Sequence, residues 1–492
     1  MKSSYRSMLK GSVIFGGSQL FTIVIGLLRA KLVAVFLGPA GMGISSLLNS
    51  TVAMLQQFSS FGVNLSAVKS IAQAKEDQSL LRRLVLNYRF LLVLLGALGS
   101  SLSLLFSPQL SLYTFGNYDY TSSFRFLGLF IFFTTLSGGE LSILQGKREL
   151  KKVALSSIIG SLIGVILGVP FYYFWGMGGI VPAMIVMAVC NYLANRLLSF
   201  KSSFSSEVKF EWNSFKSSSR DMMALGIVLM ISTLLGTIAT YLLNAYISRQ
   251  GGFVDVGYFQ SANSLTNQYT GIVFTSMAID YFPKLAAKSD SIIDVNRLVN
   301  EQLEIALLLI APIVVLFIVF SSLVVHLLLT KEFLVVVPLL NLMALGVFVK
   351  AVSYPLGYIS FAKGDKKLFF WLEGVFANTL QLSLNILFYN YYGLMGLGFS
   401  FILNYCIYAI FLFFVVRKRY SFKIRREVLS ILFIFLFFII SVFSVNYIDY
   451  FPLKLGLLLI LLPSLFYYAI GELDKRINII GLIKSKISKR NG

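Results

Sequence analysis

Fourteen long apolar runs divide this 492-residue chain, and they leave it few ways to fold. A helix needs about 20 apolar residues to cross the hydrocarbon core of a bilayer. The runs at 11–37, 43–68, 84–106, 122–144, 153–175, 178–200, 221–247, 256–282, 298–329, 334–362, 368–391, 393–416, 428–446 and 453–471 each supply about that many. None shows the alternation that a barrel strand requires, so the spans are helical. A mean hydropathy of +0.80 excludes a soluble fold. The expected class is an all-α polytopic membrane protein of about fourteen transmembrane helices.

The 42 Lys and Arg residues give the orientation. With the N-terminus inside, cytoplasmic segments hold 33 of them, outer loops hold only Arg249, Lys331 and Lys454, and six lie within spans. A bias this strong places both termini in the cytoplasm. The net charge of +21 therefore reflects topology, with the inner loops facing anionic membrane lipid. It is scattered over eight short segments, which argues against a nucleic-acid partner. The first run is long and lacks a small-residue cleavage site, so it reads as a retained helix. Cys190 and Cys406 sit inside spans and read as packing residues, with neither a disulfide nor a metal expected.

Membrane transporters are often built from internal repeats, and two stretches of this chain recur. GISSLLN at 43–49 corresponds to GYFQSAN at 257–263, an offset of 214, and FYYFWGMGG at 171–179 to FYNYYGLMG at 388–396, an offset of 217. An even number of spans separates the copies, so they share an orientation. The domains expected are a first lobe at 1–200, a Ser-rich cytoplasmic linker at 201–220, a parallel second lobe at 221–416, and helices 13 and 14 with a basic tail at 417–492.

Inside the spans, polar residues fall on helical faces. Gln19, Thr22, Gly26 and Arg29 form one stripe, and Asn49, Gln56 and Ser60 another. Their repeat partners are Thr233, Thr237, Thr240, Asn244 and Ser248, then Gln260, Asn263, Asn267 and Thr270. Four matching stripes suggest a wet cleft between the lobes, where interhelical hydrogen bonding is the plainer alternative. A stripe of Asn378, Gln381 and Asn385 fits either a sugar contact or packing.

An ionised side chain at bilayer depth costs at least ~2.5 to 3.5 kcal/mol. Arg89, Arg125 and Arg196 lie near span ends and read as snorkelling. Lys350 lies about 18 Å from the inner end of its span, at 1.5 Å per residue, too deep for that. It either lines a cavity or pairs with a carboxylate such as Glu373. Arg29 and Lys31 lie roughly 200° apart on one helix, and Arg29 shares the polar stripe. Glu140, Asp221, Asp280 and Glu373 lie near inner span ends and read as partners of neighbouring basic residues. Their functional alternative is a coupling site for H⁺ or Na⁺, with Glu140, Asp280 and Glu373 as the candidates. The lone His326 has no evident partner. With no nucleophile motif, phosphate loop or metal-ligand cluster, the chain does not read as an enzyme, and no cofactor is expected.

GLLRAKLVAVFLGPAGMGISSLLNS at 26–50, followed by KSIAQA at 69–74, resembles the first two helices of Wzx-type O-antigen translocases. These belong to the polysaccharide-transporter branch of the superfamily that also holds multidrug extruders and lipid II flippases. IIGSLIGV at 158–165, VGYFQSANSLTNQY at 256–269, YFPKLA at 281–286 and VKAVSYPLGYISFAKGD at 349–365 extend the resemblance over about residues 10–415. It implies a MATE-like fold of two six-helix lobes plus two C-terminal helices. It also implies a bacterial inner-membrane flippase, moving an undecaprenyl-pyrophosphate-linked oligosaccharide to the periplasmic leaflet for O-antigen and lipopolysaccharide synthesis. A polysaccharide polymerase and chain-length machinery are the partners implied. Lys31 and Lys350 lie in matching segments, and Arg29 sits where lipid II flippases place a cavity arginine. A pyrophosphate-linked sugar needs a hydrogen-bonding cleft and cations for its phosphates, so the same three residues are expected to carry it. The alternatives are an Na⁺- or H⁺-coupled exporter of organic cations, and a membrane polymerase or ligase, for which the outer loops are short.

Overall fold

The computed structural model describes residues 2–74, 77–200 and 210–477; at 2–20, 225, 228, 229, 232, 272, 278, 279 and 477 it describes the backbone only. The described residues are helical almost throughout: α1 (Lys2–Ser60), α2 (Val63–Gln73), α3 (Gln78–Leu105), α4 (Ser107–Phe115), α5 (Thr121–Gly146), α6 (Leu150–Trp175), α7 (Ile180–Phe200), α8 (Trp212–Ala287), α9 (Ile292–Leu328), α10 (Val337–Ala362), α11 (Lys366–Phe369), α12 (Ala377–Tyr420), α13 (Arg426–Val445) and α14 (Phe451–Ile477). A π-helical turn, Phe370–Phe376, joins α11 to α12.

Among the described residues, nine stretches are long and apolar enough to cross a membrane. Phe21–Ser60, Leu150–Phe200 and Lys366–Tyr420 are 40, 51 and 55 residues long, so each holds two crossings, and α8 holds 76 residues. Glycines break all four: Gly38 (φ 62°), Gly176 (φ 53°), Gly252 (φ 77°) and Gly393 (φ 57°). Residues with a Cβ rarely adopt this left-handed region, which explains why glycine stands at each reversal. Divided there, the helices are compatible with fourteen crossings of a multi-pass membrane protein.

The breaks also display the internal repeat. Gly38 and Gly252 stand at an offset of 214, and Gly176 and Gly393 at an offset of 217. A Cβ on Gly179 would strike the carbonyl of Phe171, and one on Gly396 that of Phe388, again at the second offset. The turns that follow α5 and α10 share one hydrogen-bond pattern at an offset of 216. Arg148 N donates to Gln145 O (2.9 Å) and Glu149 N to Leu144 O (3.0 Å), while Gly364 N donates to Phe361 O (3.1 Å) and Asp365 N to Ser360 O (3.0 Å).

The chain forms two compact units, Met1–Gln260 with Leu328–Glu332, and Ser261–Leu327 with Phe333–Gly492. This division follows packing. In the first unit the N-terminal half of α8 lies along α2, α3 and α4: Ser66 Oγ donates to Met222 O (2.7 Å), Thr114 and Tyr241 hydroxyls are 3.2 Å apart, and Arg249 donates to Tyr113 O (2.6 Å). A Cβ on Gly43 would strike Phe253 O, and one on Gly257 would strike Pro39 O. Repeat-equivalent residues therefore contact each other reciprocally, which two glycines permit.

The second unit is built on α9, whose Val299, Leu303, Leu307 and Ile310 are fully buried. Asn300 clamps the segment leading into α13, donating to Lys423 O (2.9 Å) and accepting from Arg425 N (2.8 Å). Asn446, at the far end of α13, donates to Ile318 O (3.2 Å), and Arg476 of α14 reaches Glu304 at 2.5 Å. Helices α13 and α14 are thus fastened to this unit at several levels.

Candidate functional site

In the second unit α10, the π turn and α12 enclose a cavity of about 440 Å³. Lys350 projects from α10 with its Nζ 5.5 Å from the ring centres of both Phe274 and Tyr405. Both distances lie within cation–π range. Among the described residues it forms no hydrogen bond or ion pair. A half-buried ammonium that lies between two aromatic faces beside a void, with the Glu373 carboxylate near enough to act on it through space, is well placed to meet an anion.

Glu373 faces the same cavity from the π turn, and Tyr408 Oη donates to its Oε1 at 2.5 Å. Gly357 makes this position available, since a Cβ there would lie 2.5 Å from the same oxygen. A π turn leaves its carbonyls without their usual α-helical donors. Asn378 supplies them, its Nδ2 donating to Glu373 O (3.0 Å) and Gly374 O (2.7 Å). Asn385 of the same stripe accepts from Ser400, which leaves Gln381 to line the cavity. Tyr354, its hydroxyl donating to Phe274 O (2.8 Å) and lying 3.2 Å from that of Tyr358, completes one wall.

The other expected site residues lie elsewhere. Asn49 is exposed and bonded to Ser45 of its own helix, and Gln56 is bonded to Thr134 of α5. Gln260 donates to Asn244 (2.7 Å), a residue 1% exposed, and Asn267 to Asn263 Oδ1 (2.8 Å). Arg29 and Lys31 are half-buried on α1. The side chain of Gln19 lies outside the described residues. Asp280 is exposed and paired with Lys284 at 2.6 Å.

Glu140 is enclosed instead by arginines. Arg89 grips it with Nε to Oε1 and a terminal nitrogen to Oε2, both 2.9 Å; Arg196 reaches Oε1 at 2.7 Å, and Ser199 donates to Oε2. This corrects the snorkelling expected of Arg89 and Arg196. A buried carboxylate satisfies them more completely than the interface could, in the bidentate geometry that suits guanidinium. Just past the end of α5, burial holds the Lys147 ammonium below its ordinary pKa, with Glu149 opposing that shift.

Sequence reasoning missed Tyr354, Tyr358, Tyr405, Tyr408 and Asn404. Their spacing of three or four residues along two helices was the available signal, but the 45 Phe and 25 Tyr of the chain hide it.

The profile of a family described as polysaccharide biosynthesis protein matches residues 8–287. The chain is 24% identical over 419 residues to the lipid III flippase of Escherichia coli (strain K12), covering 82% of this chain and 96% of that one. It is 26% identical over 348 residues to the probable lipid II flippase MurJ of Borreliella burgdorferi, covering 67% and 66%. Among solved structures, lipid II flippase MurJ in an inward closed conformation matches with a TM-score of 0.71 at 16% identity, covering 94% of this chain and 99% of that one. A multidrug resistance MATE family transporter of the MOP superfamily, in an inward-facing conformation, matches with 0.69 at 18%, covering 81% and 94%. Fold and helices together define a multi-pass membrane protein with the fold of those structures. The chain belongs to the polysaccharide biosynthesis protein family, whose profile covers more than half of it.

Proposed function

We propose that this protein is a flippase that moves an undecaprenyl-pyrophosphate-linked oligosaccharide, an O-antigen or related repeat unit, across the bacterial inner membrane by alternating access. Its termini lie in the cytoplasm, and a polysaccharide polymerase acts on its product. The observation that carries this reading is Lys350, a cation deep in a span, facing a cavity and paired with no anion among the described residues. Family membership and the lipid III and lipid II flippases among the relatives support it. Arg29, Lys31 and Lys350 carry the phosphates in this reading. Of the three coupling candidates Glu373 is preferred, because Glu140 is neutralised by two arginines and Asp280 by Lys284.

In a strain lacking the gene, lipid-linked repeat units accumulate on the cytoplasmic leaflet. Lys350→Ala or Arg29→Ala fails to restore surface polysaccharide although the protein reaches the membrane. Normal polysaccharide in both variants would refute the site assignment. One observation favours a second reading as exporter of organic cations: Glu373 gives the cavity a carboxylate inside a span. Increased drug susceptibility of the deletion strain, with normal polysaccharide, would select that reading.

A further inference from the structure

The repeat offset rises from 214 to 216 ahead of α11 and by one more residue beyond it, and that last residue falls at the cavity. The turns after α5 and α10 correspond at an offset of 216, but those at Gly176 and Gly393 correspond at 217. One extra residue therefore enters between Asp365 and Gly393. The π turn Phe370–Phe376 accommodates it, since a π turn is an α-helix with one residue inserted. Glu373 sits in that turn. The equivalent positions of the first half carry different side chains: Thr134 stands opposite Lys350 and accepts from Gln56, and Met187 stands opposite Asn404.

Two groups in the cavity have unused hydrogen-bonding capacity. Tyr408 occupies Oε1 of Glu373, while Oε2 receives no donor among the described residues. Asn404 lines the cavity, is 5% exposed, and its Oδ1 has no partner among the described residues. A buried amide oxygen without a partner carries the cost of its desolvation, and a donor on a ligand in the cavity would remove that cost. Beside these acceptors stand the Lys350 cation and the Tyr405 ring. Together they suit a ligand with an acidic group, several hydroxyl donors and an apolar ring face.

We infer that this cavity is a glycan subsite, in which the Glu373 carboxylate and the Asn404 amide accept sugar hydroxyls while Lys350 holds the adjoining phosphate. The inference rests on the proposed function and assigns to its second half the recognition of the sugar nearest the phosphate. No bond is made or broken; the one-residue insertion turns a structural helix into a selective one.

The full chain in lipid nanodiscs tests this with three probes: inorganic phosphate, α-D-glucose 1-phosphate and methyl α-D-glucopyranoside. Wild type binds the sugar phosphate about tenfold or more tightly than phosphate, the gain expected of one or two hydrogen bonds to a charged or buried acceptor. Glu373→Gln, which keeps an oxygen for Tyr408, lowers the ratio of the two affinities about tenfold, and Asn404→Leu lowers it as well. A ratio cancels the change in field at Lys350 that both probes share, so a general loss of folding does not imitate it. Equal affinity for phosphate and sugar phosphate in wild type, with phosphate binding abolished by Lys350→Ala, overturns the subsite and leaves the proposed function standing. Absence of any Lys350-dependent anion binding overturns both. Tighter binding of the neutral glycoside than of the sugar phosphate also overturns the subsite.

Discussion

Two groups of charges inside the spans obey opposite logic. In the first unit Glu140 is met by two arginines and a serine, its side chain 4% exposed, with every oxygen used. In the second, Lys350 and Glu373 line one cavity, yet no ion pair joins them and capacity is left over on each. Desolvating a charge is expensive, and a partner in ideal geometry offsets that cost. Where partners are complete, the charges hold helices together. Where they are incomplete beside a void, the remainder is available for a ligand.

The largest expected effect breaks the complete cluster. Glu140→Ala leaves the half-buried Arg89 and Arg196 without their anion and costs up to about 3–5 kcal/mol, the usual penalty for removing one partner of a buried pair. Thermal unfolding in detergent should show it, together with loss of protein from the membrane. Glu373→Gln should unfold at close to the wild-type temperature. A comparable destabilisation in both variants would end the distinction between the two clusters.

Arg89→Lys comes next. It keeps the charge but not the two-pronged contact with Glu140, so about 1–2 kcal/mol of stability is lost while sugar selectivity is retained. Gly357→Ala should show the converse pattern. The new methyl displaces the end of the Glu373 side chain from Tyr408, and alanine's better helix propensity roughly compensates, so stability changes by less than about 1 kcal/mol. The preference for sugar phosphate over phosphate falls. A Gly357→Ala variant that unfolds early but keeps its preference would show the glycine to be structural.

Much of this contrast was legible in the sequence, for identifiable reasons. Spans and reversals are written in apolar runs and in glycines at Gly38, Gly176, Gly252 and Gly393, because membrane burial and left-handed backbone each demand particular residues. Lys350 stood out because a charge so deep needs a reason. The partners of Glu140 were not legible: Arg89 lies 51 residues away and Arg196 56, and only the packing of α3, α5 and α7 brings them together. The repeat offsets of 214 and 217 showed that residues had been inserted, but a π turn has no residue signature to say where. Asn404 carried only its spacing of four from Tyr408, too weak a signal because an amide in a span is usually interhelical glue.

The smallest effect compares the turns after α5 and α10, which the repeat makes equivalent. Glu149 of the first pairs locally with Lys152 at 2.9 Å, whereas Asp365 of the second reaches Arg419 (2.6 Å) and Tyr420 (3.1 Å) at the end of α12. Burial alone would raise the Asp365 pKa, but hydrogen bonds from Arg419, the Leu368 amide and Tyr420 outweigh it and hold the carboxyl below the ordinary aspartate value. A carboxylate depressed on folding contributes stability that is fully present above its unfolded pKa and is lost as pH falls through its folded value. Solvent around Arg419 screens the pair, so the contribution is small. Unfolding followed from pH 7 to pH 3 should therefore show a small acid-side loss that Asp365→Asn removes. Glu149→Gln, which removes the local ion pair with Lys152, should leave that loss in place. Equal changes from the two substitutions would mean that the longer reach of Asp365 adds nothing, and that the two turns differ in sequence but not in what they hold.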